Sequence, residues 1–106
     1  MKKTLTALTI AATMFASSAS AFDAAHLQKL KDTNECIACD LSGANLNGAD
    51  LSESYLAYAN LSAADLTGAN LGGADLRKAN LSSTYMNGAT LCNTTVPDGS
   101  VIYSGC

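Results

Sequence analysis

The sequence predicts an all-β fold built from short extended segments that turn a corner every five residues. Two columns of residues support this prediction. A leucine recurs at every fifth position from Leu41 to Leu91, with Met86 as the single exception. Two positions earlier, most repeats carry a small residue, which is alanine at Ala44, Ala49, Ala59, Ala64, Ala69, Ala74, Ala79 and Ala89. A fixed period of this kind sets the architecture before any single residue is considered.

The period of five fits neither an α-helix nor an ordinary strand. A helix places its apolar stripe at a spacing of about 3.6 residues, and a strand at a spacing of about two. Successive leucines would therefore scatter around a helix and form no stripe. Much of the remaining sequence is Gly, Asn, Asp and Ser, including Gly48 and Gly68, and these residues favour turns over helix. The pattern therefore predicts segments that each offer one large and one small side chain to a shared interior.

The chain resembles the pentapeptide-repeat proteins through its recurring motif Ala-(Asp/Asn)-Leu-x-x. Residues 64–68 read ADLTG and residues 74–78 read ADLRK, and the motif keeps its register over residues 39–96. The resemblance implies a right-handed quadrilateral β-helix of about three coils, with four pentapeptides in each coil. It also implies that the leucine and alanine columns point inward, while the other three positions face solvent or form corners.

Stacking at intervals of twenty residues gives four inner ladders, and each ladder is apolar throughout. The first contains Leu41, Leu61 and Leu81, and Val101 would extend it if the coil continued. The other three ladders contain the leucines between these positions together with Met86 and Val96. We therefore expect one continuous core along the axis of the solenoid.

The sequence outside the repeats divides into three further segments. Residues 1–21 read as a secretory signal peptide, because a basic start is followed by an apolar stretch and by the small residues Ala19-Ser20-Ala21. The apolar stretch is too short for an ordinary membrane span. We expect residues 22–36 to form a capping helix and lead-in, residues 37–96 the β-helix, and residues 97–106 a C-terminal cap. The predicted location is the bacterial periplasm or the extracellular medium.

The helix in the second segment is predicted to cap the solenoid. Asp23 can serve as its N-cap, and the helix would continue to Lys31. Leu27 and Leu30 share one face, which would cover the apolar end of the first coil, since solenoids need capping elements. His26 has no evident set of ligands around it and is interpreted as a solvent-facing residue.

Composition limits the classes of partner. The formal net charge is −3, and loss of Lys2 and Lys3 with the signal peptide would make it more negative. An acidic surface argues against nucleic acid and anionic membranes as partners. If the chain has a partner, we expect a protein whose identity the sequence does not reveal. The expected assembly state is a monomer or a weak dimer.

Four cysteines in a small exported chain predict disulfide bonds. With coils stacked about 4.8 Å apart, nearly three coils separate Cys36 from Cys92, or roughly 13 Å. Disulfides require Cα atoms within about 7 Å. Unless the C-terminal tail folds back along the solenoid, the pairs are therefore Cys36–Cys39 at one end and Cys92–Cys106 at the other.

The Cys36-Ile37-Ala38-Cys39 motif also leaves a redox role open. A CxxC pair can be redox-active at a helix N-terminus, but here it leads into repeats with no βαβ pattern. Haem attachment would require a histidine where Asp40 stands, and a zinc site would need two further ligands. The motif is similar to the first coil of many exported pentapeptide-repeat proteins, which favours a structural role.

No catalytic motif stands out from the repeats, so we expect no enzymatic activity, no metal and no cofactor. The prediction is an exported structural or protein-interaction module. Two alternatives remain: a DNA-mimicking topoisomerase inhibitor, as some cytoplasmic family members are, and a thiol–disulfide protein using Cys36 and Cys39. The small number of coils and the export signal argue against the DNA mimic.

One side of the solenoid is a candidate interaction face. It would gather Tyr55, Tyr58, Arg77 and Lys78, with Asp75 and Asp98 beside them. Arg77 and Lys78 are the only basic residues in the repeats. Aromatic residues and arginine are enriched at protein interfaces.

Overall fold

The computed structural model describes residues 22–106, so the predicted signal peptide at residues 1–21 lies outside the described part of the chain. The described residues form one helix, α1 (Ala24–Thr33), and two strands, β1 (Leu91–Thr95) and β2 (Val101–Ser104). No helix in this part of the chain has the length and apolarity needed to cross a bilayer. Between α1 and β1 the backbone forms a regular series of turns.

Parallel backbone pairing joins positions that are twenty residues apart. Single bridges connect Glu35 to Tyr55, Tyr55 to Asp75, and Asp75 to Thr95. The same step recurs in the three other columns that begin at Asp40, Asn45 and Asp50. The chain therefore returns to the same side after every four pentapeptides, which is the step on which the inner ladders depend.

Each pentapeptide contains one tight turn. The amide of Ala64 donates to the carbonyl oxygen of Leu61 at 3.0 Å, and the residue between them with positive φ is Ala63 (φ 60°). A turn with one left-handed residue at its third position is of type II. Glycine meets this need at Gly48 (φ 68°) and Gly68 (φ 69°), as the glycine corners of the sequence suggest.

The column of Asp and Asn residues that precede most of the leucines stabilises the turns that follow them. Asn60 Oδ1 accepts a hydrogen bond from the Ser62 amide at 3.0 Å, and Asp65 Oδ1 accepts one from the Thr67 amide at 3.0 Å. Such Asx turns use a side-chain oxygen that aspartate and asparagine share. This shared acceptor explains why the two residues alternate freely in the column.

The two inward columns form a single core. Most leucines of the repeats are completely buried, and alanines of the small column fill the space between them. The large core residues without exposed surface are Leu41, Leu56, Leu61, Leu66, Leu71 and Leu76. Burial decreases at the C-terminal end, where Leu81, Met86 and Leu91 are only partly covered.

Helix α1 packs on the first coil. Asp23 is the N-cap as predicted, and its side chain accepts from the Ala25 and His26 amides, but the helix ends at Thr33, two residues beyond the predicted end. Leu30 is fully buried in the core. His26 does not simply face solvent, because its Nδ1 accepts from the Asp40 amide at 2.9 Å. The Asp23 amide donates to the Asp40 carbonyl oxygen at 3.0 Å, so both backbone groups of Asp40 are satisfied from α1 and its N-cap.

The C-terminal segment reverses direction and does not begin a new coil. Strand β2 pairs antiparallel with β1, with Val101 opposite Thr95. The reversal occurs at Asp98 and Gly99, where Asp98 Oδ1 accepts from the Ser100 amide at 2.9 Å and Gly99 has a φ of 91°. Val101 is 42% exposed, so the first ladder ends at Leu81 and does not continue to Val101.

Candidate interaction face

Two outward columns run side by side along one edge of the stacked repeats. Backbone hydrogen bonds connect them from coil to coil, from the Tyr58 amide to the Arg77 carbonyl oxygen at 2.8 Å and from the Lys78 amide to the Pro97 carbonyl oxygen at 2.9 Å. We call the residues of these two columns the lateral face: Ile37, Ala57, Arg77 and Pro97 in one column, and Ala38, Tyr58, Lys78 and Asp98 in the other.

The C-terminal half of the lateral face contains an open cleft of about 220 Å³. Its lining residues are Tyr58, Arg77, Lys78, Pro97, Asp98 and Gly99. The structure therefore brings together three of the four residues of the candidate face. Tyr55 is exposed in the adjacent column, paired with Asp75, and does not line the cleft.

The sequence analysis missed Pro97 and Gly99 as parts of this site. Both belong to the turn before β2, of which the sequence analysis placed only Asp98 beside the candidate face. Pro97 lies twenty residues after Arg77, so extending the columns beyond the last leucine repeat would have placed it on the lateral face. The coil-to-coil bond from Lys78 to Pro97 shows that this step is kept there.

The charged side chains of the cleft differ in whether another residue of the chain already binds them. Arg77 forms a two-point ion pair with Asp75, with Nε 3.0 Å from Oδ1 and Nη2 2.8 Å from Oδ2. Hydrogen bonding from Arg77 lowers the pKa of the Asp75 carboxyl below its ordinary value, and the same bond raises the pKa of Arg77. Arg77 is therefore held in place by a carboxylate of its own chain.

Asp98 is also engaged within its own turn. Its Oδ1 accepts from Ser100 Oγ at 2.6 Å in addition to the Ser100 amide. These hydrogen bonds from Ser100 lower the pKa of the Asp98 carboxyl, so it stays ionised near neutral pH. Lys78, in contrast, takes part in neither of the two ion pairs found among residues 22–106, which are His26–Asp23 and Arg77–Asp75.

Tyr58 and Lys78 occupy an unusual backbone conformation for bulky residues. Both have positive φ, 63° for Tyr58 and 61° for Lys78. The same turn position is filled by glycine in five other repeats, at Gly43, Gly48, Gly68, Gly73 and Gly88, and by other residues with positive φ at Ala38, Glu53, Ala63 and Ser83. Side chains other than glycine pay a conformational cost there. Tyr58 and Lys78 therefore lie in adjacent coils beside the cleft, each in a backbone conformation that is unfavourable for a large side chain.

The four cysteines form the two pairs that the sequence analysis expects. Cys36 is bonded to Cys39 and Cys92 to Cys106, with Cα separations of 5.3 Å and 4.9 Å. The first pair lies in the core, since Cys36 is 0% and Cys39 5% exposed. Cys36 Sγ also lies 3.2 Å from the His26 carbonyl oxygen, which places the pair directly beneath α1. Within residues 22–106, no three potential metal ligands are grouped together.

Comparison with known proteins agrees with the repeat pattern. The family model for pentapeptide repeats matches two overlapping stretches, residues 35–73 and 59–95, with eight copies of the repeat. No curated protein matches the chain.

Three solved structures of pentapeptide-repeat proteins are similar to parts of the chain. HetL from the cyanobacterium Nostoc sp. strain PCC 7120, involved in heterocyst differentiation regulation, is 29% identical, with 57% of this chain and 40% of HetL covered and a TM-score of 0.23. Rfr23 from the cyanobacterium Cyanothece 51142 is 23% identical, with coverages of 62% and 92% and a TM-score of 0.30. AT2G44920 from the Arabidopsis thaliana thylakoid lumen is 25% identical, with coverages of 57% and 50% and a TM-score of 0.21.

The matched region spans only 40% of the length of HetL. The family model, however, extends over residues 35–95, which is more than half of this chain. The chain therefore belongs to the pentapeptide-repeat family, whose fold is the right-handed quadrilateral β-helix.

Proposed function

We propose that this chain is an exported pentapeptide-repeat module that binds a protein partner through the lateral face and has no catalytic activity of its own. The observation that carries the proposal is the cleft between Tyr58, Lys78 and the turn at Pro97. Concave sites with exposed aromatic and basic side chains suit protein recognition. The proposed assembly state is a monomer or a weak dimer.

The proposed architecture places this face on a short capped solenoid. Residues 37–96 would form about three coils of the β-helix, with α1 as the N-terminal cap and residues 97–106 as the C-terminal cap. The burial of Leu30 and the bonds to Asp40 support the role of α1. Both disulfides then lie at the ends of the solenoid, where a stacked fold is otherwise most easily opened.

Export to the periplasm or the extracellular medium is part of the proposal. The signal-peptide pattern of residues 1–21 supports it. Two disulfide bonds in the structure are compatible with it, because such bonds persist in oxidising compartments.

The two alternative functions are less well supported. A thiol–disulfide activity would require a thiolate to reach a sulfur atom of the Cys36–Cys39 pair, and both sulfurs lie in the core. A DNA mimic would present a long acidic surface, whereas the lateral face carries the two basic residues of the repeats. Thiol titration of the exported protein and a gyrase supercoiling assay test these alternatives directly.

The proposed function is tested by crosslinking in the native cell envelope, followed by identification of the captured partner. The double variant Tyr58→Ala/Arg77→Ala should fold normally and lose most of the captured partner. The matched control is Tyr85→Ala/Lys31→Ala, which also removes one exposed tyrosine and one exposed cation, but away from the lateral face. Undiminished capture by the Tyr58/Arg77 variant would overturn the proposed function.

A further inference from the structure

We propose that Asn87 is a modification site, at which the side-chain amide is converted to a carboxylate by spontaneous deamidation. The reaction requires no enzyme and no cofactor, and its co-reactant is water. It is independent of the proposed function, because Asn87 and Gly88 lie outside the lateral face. Two features of the turn at residues 86–89 support this assignment: its sequence and a hydrogen bond that it lacks.

The sequence of the turn contains asparagine followed by glycine. This pair deamidates readily, because glycine has no side chain to keep its backbone nitrogen away from the asparagine side chain. It occurs twice, in the nearly identical sequences LNGA at residues 46–49 and MNGA at residues 86–89. Gly48 and Gly88 have similar positive φ, 68° and 73°, and both pairs are exposed. Local sequence and exposure therefore do not distinguish Asn47 from Asn87.

The reaction proceeds through a cyclic imide. A base from solvent removes the proton of the Gly88 amide, and the nitrogen attacks Cγ of Asn87. The bond from Cγ to Nδ2 breaks, and Nδ2 takes up a proton and leaves as ammonia. Water then opens the ring at Cγ, which gives aspartate, or at the main-chain carbonyl carbon of Asn87, which gives isoaspartate. The side-chain amide and water thus become a carboxylate and ammonium, with no oxidation or reduction.

The hydrogen bonds of the two glycine amides differ. The Gly48 amide donates to the Thr67 carbonyl oxygen of the next coil at 2.8 Å, and this bond must break before the nitrogen can lose its proton. The Gly88 amide has no acceptor among residues 22–106, because no coil stacks on its turn there. The carbonyl oxygen of the same peptide group, on Asn87, accepts from the Gly68 amide at 2.9 Å. That bond polarises the peptide group and makes its N–H more acidic.

The two turns also differ in how firmly their neighbours hold them. Leu46, which precedes Asn47, is only 3% exposed, whereas Met86, which precedes Asn87, is partly buried. A segment with fewer packed atoms opens locally at a lower cost in free energy. Opening lets the side chain of Asn87 approach the Gly88 nitrogen, so packing and hydrogen bonding both favour reaction at Asn87.

The reaction changes the C-terminal end of the stack. Aspartate at position 87 adds one negative charge to an exposed turn. Isoaspartate in addition lengthens the main chain by one atom, within a turn that the Ala89 amide closes on the Met86 carbonyl oxygen at 3.1 Å. Isoaspartate formation therefore loosens the last coil.

The assignment is tested by incubating the folded protein at mildly alkaline pH in water labelled with heavy oxygen, which enters the new carboxylate when the ring opens. Trypsin cleavage after Arg77 and Lys78 then separates the two asparagine–glycine pairs, and each disulfide stays within its own fragment. Mass spectrometry measures the label in each fragment. We expect Asn87 to react about fivefold faster than Asn47, the effect of about one hydrogen bond on a rate. Equal rates, or a faster reaction at Asn47, would overturn the assignment.

Two controls isolate the role of the fold and of the residue. In protein unfolded by guanidinium, the two pairs should react at equal rates, because their sequences are nearly identical. A difference that persists after unfolding would refute the role of the Gly88 hydrogen bond. Asn87→Gln keeps an amide on a side chain that is too long to form the same ring, so the C-terminal fragment should remain unlabelled while Asn47 reacts as before. Label that persists in this fragment would exclude Asn87 as the site.

Discussion

Single hydroxyl groups in the small column show how strongly each residue depends on the coil before it. Thr84 Oγ1 donates to the Leu61 carbonyl oxygen at 2.7 Å, and Thr94 Oγ1 donates to that of Leu71 at 2.6 Å. Both acceptors lie twenty-three positions earlier, on the preceding coil. The corresponding position for Ser54 is Lys31, which belongs to α1 and not to a coil. Ser54 Oγ is accordingly buried without a hydrogen-bond partner among the described residues.

This difference predicts opposite effects for two removals of a hydroxyl. Ser54→Ala should raise the free energy of unfolding by about 1 kcal/mol, because it removes an unsatisfied buried polar group. Thr94→Val should lower it by about 1 kcal/mol, because it removes a formed hydrogen bond from a fully buried site. Chemical denaturation of both variants measures the two changes. A loss of stability in Ser54→Ala equal to that in Thr94→Val would contradict the account.

The residue types in the sequence predicted which side chains are buried better than they predicted which residues form the turns. The hydroxyls that replace alanine in the inner column find backbone acceptors at Thr84 and Thr94 but not at Ser54, a difference that residue type alone does not predict. The sequence analysis named Gly48 and Gly68 among the turn-forming residues and did not expect bulky residues in the same conformation. Tyr58 and Lys78 adopt the same left-handed conformation without glycine, as does Glu53, so the conformation belongs to the repeat and not to one residue type.

At the scale of elements, α1 replaces a preceding coil on one side of the solenoid. The Asp23 amide and His26 Nδ1 satisfy the carbonyl and the amide of Asp40. At the other end of the helix, Asn34 adopts a left-handed conformation and its Nδ2 donates to the Ser52 carbonyl oxygen at 2.8 Å. The helix is therefore fastened to the first coil at both ends.

The N-cap provides a test of this attachment. Asp23→Ala should lower the free energy of unfolding by about 1 kcal/mol, because the Ala25 and His26 amides lose their acceptor. Asp23→Asn should retain most of the stability, since asparagine is an equally good N-cap. The control Asp32→Ala removes an exposed carboxylate from the same helix and should change stability by less than about 0.5 kcal/mol. Equal losses in Asp23→Ala and Asp32→Ala, measured by urea unfolding, would exclude the capping role.

The sequence predicted the N-terminal end of the solenoid more completely than the C-terminal end. The N-cap and the buried Leu30 follow from local patterns that the sequence displays directly. The antiparallel pairing of β1 with β2 does not, because it depends on where the reversal at Asp98 and Gly99 directs the chain. The sequence analysis assigned residues 97–106 to a C-terminal cap but did not predict that the cap pairs as a strand with β1.

At the scale of the whole molecule, stability is distributed along a stack in which each coil contacts its neighbours. Leu61, Leu66 and Leu71 have no exposed surface, whereas Leu81 and Met86 are only partly buried near the C-terminal end. Substitutions in the middle of the stack should therefore cost more than equivalent substitutions near its end. This gradient was not evident from the sequence, in which all the leucines occupy equivalent positions.

A charged residue in the middle of the stack gives the strongest test that the leucines point inward. Leu66→Asp should prevent folding, because an unpaired carboxylate would be placed in a core position with no access to water. The milder change Leu66→Ala should cost about 2–5 kcal/mol, and Leu81→Ala less than that. Circular dichroism during thermal unfolding distinguishes these outcomes. A cooperative transition of Leu66→Asp close to that of the parent would disprove the inward orientation of the leucine column.

The twenty-residue step has a consequence for how this chain can change in length. Removing a single pentapeptide between Tyr58 and Arg77 would keep every leucine inside, because all four sides accept the same motif. It would nevertheless turn everything downstream by a quarter of a revolution and carry Arg77 and Lys78 away from Tyr58. The segment between Tyr58 and Arg77 must therefore keep its length for the cleft to form, whereas the leucine ladders alone would accept the loss or gain of a pentapeptide there.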